Sequence, residues 1–256
     1  MYKTLTAGER KKHFGMAPDY KVDGLLIMGG WNIPKYVEVL RAIATSTYPG
    51  ATLERMENYN GFITLGYELK TNDKLLWFFV LYGGALVSEY TDLACKLGSK
   101  KNILVGVSGG LKPGAKTGDI VLPTASFKDG SMSTMYDPSS ESDVASDEAV
   151  RDSLKMRLSG HTVHEGKTMT CQAMLCETWE DVQRWSNDGY VAVEMEAAAL
   201  LAASKHYSVP GAALLSVGDN LIEQETVLSD AFIDLAELRG KVLDDQFRAA
   251  LAELVE

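Results

Sequence analysis

Residues 190–217 read YVAVEMEAAALLAASKHYSVPGAALLSV. The apolar run at 190–193 is too short for a helix and predicts a buried strand. From 194 to 206 Ala and Leu dominate, the residues with the strongest helix preference, so a helix is predicted there. Residues 211–217 are apolar again and predict a second buried strand. Strand, helix, strand in succession is the α/β pattern.

The rest of the chain repeats that alternation. Residues 23–28 predict a buried strand ended by Gly29 and Gly30, and Pro34 opens a helix running to about 45. Residues 61–70 and 75–82 predict two strands joined by a turn at Thr71, Asn72 and Asp73. A helix is predicted over 88–97 with Gly98 as its stop. A strand over 102–107, a glycine-containing loop over 108–118 and a strand over 119–125 follow. Residues 129–148, rich in Ser, Asp and Pro, predict a mobile loop. Beyond it come a helix at 147–158, a strand at 167–174, a short helix at 179–185, and a C-terminal helix over 229–255 with a break expected near Gly240. The expectation is one domain over residues 1–256, with a central mixed β-sheet flanked by helices.

With 256 residues, 46 % of them hydrophobic and 23 % charged, the composition is that of a soluble globular protein. The net charge of −10 argues against a nucleic-acid partner, which requires a basic face. No apolar run reaches the ~18–20 residues of a membrane span. Cys95, Cys171 and Cys176 are sparse and odd in number, which points to reduced thiols and a cytoplasmic location. His161 and His164 fall on opposite faces of a strand, and Cys171 and Cys176 have no better spacing, so no metal pair is expected.

In α/β folds ligands gather where strands end. Four such places stand out: Gly29 and Gly30; Ser108, Gly109 and Gly110; Gly218, Asp219 and Asn220; and Glu194, Met195 and Glu196. Neither glycine run has Walker or Rossmann spacing, which removes nucleoside triphosphates and NAD from consideration. Glu194 and Glu196 have two readings. Acidic residues are favoured in a helix's first turn, and a carboxylate there can also accept two hydrogen bonds from a vicinal diol. Asp219 reads either as a turn residue or as a proton donor to a leaving group, its pKa raised by partial burial.

An ordered set of motifs resembles the purine nucleoside/uridine phosphorylase superfamily. Val193-Glu194-Met195-Glu196-Ala197-Ala198 looks like its ribose-binding segment. Gly106-Val107-Ser108-Gly109-Gly110, with Gly118-Asp119-Ile120-Val121 downstream, resembles its phosphate-loop strand and the strand after it. Lys128-Asp129-Gly130-Ser131 through Tyr136-Asp137-Pro138 resembles a loop of uridine phosphorylases. His13-Phe14-Gly15-Met16 resembles the segment that opens those enzymes.

The resemblance implies the nucleoside phosphorylase fold and cleavage of the N-glycosidic bond of a purine or pyrimidine nucleoside. It implies that Glu196 binds the ribose 2′ and 3′ hydroxyls, that Met195 packs on the ribose, and that His13 reaches a neighbouring subunit's 5′ hydroxyl. Asp219 would protonate or hydrogen-bond the departing base, with Met174 and Val193 as base contacts. Gly29, Ser108 and an Arg55 lent by a partner would contact phosphate. It further implies no cofactor beyond inorganic phosphate as co-substrate, and a homodimer or a hexamer built as a trimer of dimers.

Two family segments differ here. The family's Gly-Asp-Pro-x-Arg is Gly29-Gly30-Trp31-Asn32-Ile33, and its Arg-x-Gly-Ser/Thr is Leu104-Val105-Gly106-Val107, so two phosphate arginines are absent. The glutamates with which related nucleosidases activate water are absent as well. Phosphorolysis to ribose 1-phosphate is the expectation; a nucleosidase using water and a non-catalytic nucleoside-binding relative are the alternatives. Trp31, following the glycine turn, is placed to cap the acceptor pocket.

Overall fold

The computed structural model describes residues 4–57, 59–61, 63, 65–71, 73–128, 132–226 and 233–256. In chain order the elements are α1 (Ala7–Phe14), β1 (Gly24–Gly29), α2 (Ile33–Thr47), β2 (Thr52–Arg55), β3 (Gly66–Thr71), β4 (Lys74–Leu81), α3 (Gly84–Lys96), β5 (Asn102–Gly110) and β6 (Ile120–Phe127). There follow α4 (Met132–Tyr136), β7 (Asp143–Ala145), α5 (Glu148–Arg157), β8 (Val163–Thr170), α6 (Trp179–Asn187), β9 (Tyr190–Glu194), α7 (Ala197–His206), β10 (Gly211–Asn220) and α8 (Ala236–Val255).

The strands form one mixed sheet in the order β10-β6-β8-β9-β5-β1-β4-β3-β2, with β7 on β6. Its two faces follow from the period of two along a strand. Leu25, Ile27, Trp77 and Phe79 turn toward α3 and α7. Their neighbours Leu26, Met28, Leu76 and Phe78 turn toward α2, α5 and α8. Strands buried on both faces read as continuous apolar runs, and β1 and β4 do.

β5 decides where a ligand can enter. One edge pairs with β10 from Asn102 to Gly110. Because β10 also pairs with β6, the strands β5, β10, β6, β8 and β9 close on one another, and β1, β4, β3 and β2 extend away as an open wing. The other edge of β5 changes partner. It pairs with β1 over Asn102 to Val105 and with β9 at Gly109 and Gly110. Among the described residues neither strand pairs with residues 106–108 on that edge. The sheet forks there, and such a switch point leaves a crevice at the strand ends.

Several expectations are corrected by this topology. Residues 108–110 are strand, because β10 and β9 supply partners for that glycine run. β10 likewise runs on to Asn220, so Asp219 lies within a strand. β8 ends at Thr170, short of the expected 174. The expected mobile loop carries α4 and β7, and buried Lys128 donates to the Asp137 carbonyl at 3.1 Å while Lys205 pairs with the Asp137 carboxylate at 2.9 Å. Residues 129–131 of that segment lie outside the described residues, as do Asn72 of the expected hairpin turn and the first residues, 229–232, of the expected C-terminal helix. α8 passes unbroken through Gly240.

Candidate active site

The fork is lined by the ends of β1, β4 and β9. Glu194, the last residue of β9, is 4 % exposed, and its carboxylate is fully engaged. Oε2 accepts from the N–H groups of Glu196 (2.7 Å) and Ala197 (2.6 Å), and Thr170 Oγ1 donates to Oε1. Ala198 N–H in turn donates to Thr170 Oγ1 at 3.1 Å. These are the first amides of α7, which have no partner inside their own helix. Glu194 therefore caps α7, satisfying the structural reading of the acidic pair.

Glu196 has a different environment. Its side chain crosses the fork to the open wing, where Gly83 N–H donates to Oε1 at 2.7 Å. Gly83 has φ +83°, which turns that amide toward the carboxylate. Oε2 faces Gly29, where a Cβ would stand 2.8 Å from it, so only glycine admits this approach. Burial, then the charge of Glu194, pushes the Glu196 carboxyl up to about 8, against the lowering effect of the Gly83 and Met195 amides. Gln172 braces the same corner: its Oε1 accepts from Gly84 N–H and its Nε2 donates to the Met195 carbonyl, both at 3.2 Å.

Asp219 lies on the other side of β5, opposite Gly109. Its neighbour Asn220 is fully buried and holds the 111–119 loop through Nδ2, donating to the Lys112 (3.1 Å) and Ala115 (2.8 Å) carbonyls. That clamp fixes the end of β10 and with it Asp219. Glu177 is raised by burial and then by the charges of Asp219 and Asp181. Tyr82 is raised by burial and then by Glu196 and Glu177. Tyr82 thus lies within electrostatic reach of Glu196 and Glu177, and Glu177 within reach of Asp219. Burial lowers Arg239 of α8, and Asp219 acts against that, which places a guanidinium in the field of Asp219. Arg239 escaped the sequence reading because it follows a segment with no recognisable motif.

Beyond Glu177 a cleft of about 420 Å³ opens, lined by Met174, Glu177, Trp179, Val182, Leu221 and Gln224 among others. Met174 therefore faces a space large enough for a small ligand. Val193 does not line it; it packs with Leu111, Met169, Val182 and Trp185 behind the cleft wall. Met195 is 9 % exposed at the fork. Ser108 is buried, and its hydroxyl donates to the Ser216 carbonyl at 3.2 Å, so it is engaged with β10.

Arg55 and His13 lie elsewhere. Arg55 ends β2, the edge strand three places from β1, and is exposed. His13 is exposed in the last turn of α1, and its carbonyl accepts from Asn60 Nδ2 at 2.7 Å. That contact sets α1 beside the short 59–61 turn that follows β2. Trp31, 68 % exposed, meets Tyr82 edge to face with ring centres 4.9 Å apart. Among the described residues no three His, Cys, Asp or Glu side chains converge to hold a metal ion, and no helix is long and apolar enough to cross a membrane. His161 and His164 contact different carboxylates, Asp245 and Asp119.

Comparison with known proteins identifies the family. A family model described as the phosphorylase superfamily matches residues 83–251. A protein of Exiguobacterium sp. named purine nucleoside phosphorylase DeoD-type is 26 % identical over 167 residues, 64 % of this chain and 68 % of that protein. One of the same name from Exiguobacterium sibiricum is 23 % identical over 182 residues, 69 % and 70 % of the two chains. Another, from Caldanaerobacter subterraneus subsp. tengcongensis, is 27 % identical over 169 residues, 62 % and 67 %.

Proposed function

Because the chain belongs to the phosphorylase superfamily, we propose that its forked crevice cleaves the N-glycosidic bond of a nucleoside. One observation carries the reading: Glu196 is held at the fork between Gly29 and Gly83, and Asp219 stands across β5 opposite Gly109, with Tyr82 in the field of the first and Glu177 in the field of the second. A carboxylate has lone pairs enough to keep the Gly83 hydrogen bond and accept both hydroxyls of a ribose diol. Met195 would pack against the sugar.

Breaking the C1′–N bond places positive charge on the sugar and negative charge on the base, and a site must answer both. Glu196, raised to about 8 in the free protein, is drawn back toward its ionised form when the diol hydroxyls donate to it, and that charge beside the sugar favours the first. On the other side Asp219 supplies a hydrogen bond or proton to the departing base nitrogen, with Arg239 in its field and Met174 in the adjoining cleft. The amphiphilic cleft does not by itself select purine over pyrimidine; the names of the relatives favour a purine.

The reading extends to a homodimer, or a hexamer made of three, in which each copy lends His13 to its neighbour's sugar. The exposure of His13 and Arg55 on one flank, remote from their own fork, supports it. Incubation with a panel of nucleosides, followed by identification of base and sugar, tests the activity. Release of free base that Glu196→Gln abolishes is expected; unchanged turnover in that variant refutes the site.

A further inference from the structure

We infer that the acceptor at the crevice beside Gly29 is a neutral molecule, water, and that inorganic phosphate is not used there. The inference rests on the cleavage reading above and concerns what attacks C1′ once the base is held.

An anion at the ends of β1 and β4 needs hydrogen-bond donors and cations. Four donors in or beside that corner already have partners within the chain. Gly30 N–H donates to the Leu81 carbonyl at 2.7 Å. Gly83 N–H donates to Glu196 Oε1 at 2.7 Å, and Gly84 N–H to Gln172 Oε1 at 3.2 Å. The Ser108 hydroxyl donates to the Ser216 carbonyl. At the N-terminus of α3, whose amides and dipole would suit a phosphate oxygen, the first two amides are taken by the protein's own carboxylate and amide.

The charges point the same way. The strongest electrostatic influence on Glu196 is another carboxylate, Glu194. Tyr82, at the mouth, lies in the fields of Glu196 and Glu177, and Glu177 in those of Asp219 and Asp181. Arg239 stands with Asp219, on the base side. After β1 the chain supplies Trp31, Asn32 and Ile33, and the Trp31 ring closes on Tyr82 as an aromatic wall. A phosphate dianion entering this corner meets carboxylates and an indole. Lys35, exposed in the first turn of α2 and lying over the Tyr36 ring, and one arginine from a neighbouring copy would have to hold it, with bonds worth about 1.5–3 kcal/mol each. A water molecule brings no charge to be compensated.

The step balances without a further reactant. The water oxygen bonds to C1′ as the C1′–N bond breaks, its electron pair leaving with the base. One water proton passes to solvent, and the base nitrogen takes one up where Asp219 holds it. Nucleoside and water become free sugar and free base.

The test uses the whole protein and the nucleosides it cleaves, with and without inorganic phosphate at about 10 mM, the sugar being identified by mass spectrometry. Free ribose is expected, with a rate that phosphate changes by less than about twofold. Formation of ribose 1-phosphate, or a rate that climbs with phosphate, overturns the inference and leaves the cleavage reading standing. Calorimetric titration of phosphate into the protein without nucleoside gives a second readout that needs no turnover. Absence of heat is expected, and a phosphate Kd below about 1 mM overturns the inference. Failure of every nucleoside to bind refutes the cleavage reading itself, a result distinct from phosphate dependence.

Discussion

The two sides of the crevice are built differently. On the wing side, at the ends of β1 and β4, polar groups are locked to one another: Gly83 to Glu196, Gly84 to Gln172, Gln172 to Met195. On the barrel side, past the end of β10, an open cleft of about 420 Å³ mixes Met174, Trp179, Val182 and Leu221 with Glu177 and Gln224. A locked network tolerates one ligand geometry, since each displaced partner leaves a buried group unsatisfied. An apolar wall with scattered polar ends accommodates several shapes. On the proposed function, the contrast has the sugar read strictly and the base loosely, and four substitutions can break or sharpen it.

Glu196→Gln is expected to have the largest effect. Losing two charge-assisted hydrogen bonds to the diol costs several kcal/mol, so kcat/KM should fall by about 10³-fold. The same variant should alter the pH dependence of stability. A carboxyl raised from 4.5 to about 8 by burial binds more protons folded than unfolded between those values. Its stability contribution is therefore complete below pH 4.5 and is lost as pH rises through about 8. Gln carries no such titration, so thermal melts at pH 9 should show the variant more stable than the parent. A wild-type melting temperature that is flat between pH 5 and pH 9 would contradict the buried carboxyl.

Asp219→Asn probes the opposite side. Removing an acid from a proton-transfer step costs about 10²-fold in rate, here in kcat with KM little changed, because the sugar network is untouched. A loss confined to KM would move Asp219 from chemistry to binding. Gly29→Ala returns to the wing side, where the new Cβ would stand 2.8 Å from Glu196 Oε2. The carboxylate must give way, and KM for the nucleoside should rise about tenfold, seen in initial-rate kinetics. An unchanged KM would show that the sugar is not held at this corner.

These two sides were unequally legible in the sequence. The alternation of apolar strands and helices is local, so the α/β sheet could be read directly, and Glu196 and Asp219 stood out as carboxylates at the ends of apolar runs. The resemblance singled out Glu196 for the ribose, but the physical division of labour between Glu194 and Glu196 was not legible. It depends on Thr170 and Gly83, which the topology brings in from β8 and the start of α3. The extra strand length at residues 108–110 and 218–220 arises because two glycine-containing segments pair with each other. Propensity scored each alone as loop. β2 and α1 escaped for want of apolar pattern, being short and largely exposed. Arg239 had no motif to mark it and becomes visible only where α8 brings it into the field of Asp219.

Ser108→Ala carries the smallest effect and separates the two accounts of the acceptor corner. If the hydroxyl served a bound anion, its loss would weaken phosphate binding and slow a phosphate-dependent reaction. In the fold it donates to the Ser216 carbonyl across the β5–β10 ladder. Its removal deletes one buried neutral hydrogen bond, worth about 1 kcal/mol of stability. Denaturant titration should show that shift in the midpoint with an unchanged slope, while the sugar product and kcat/KM remain those of the parent. A variant of parental stability with a changed sugar product would return the hydroxyl to the crevice and count against a neutral acceptor.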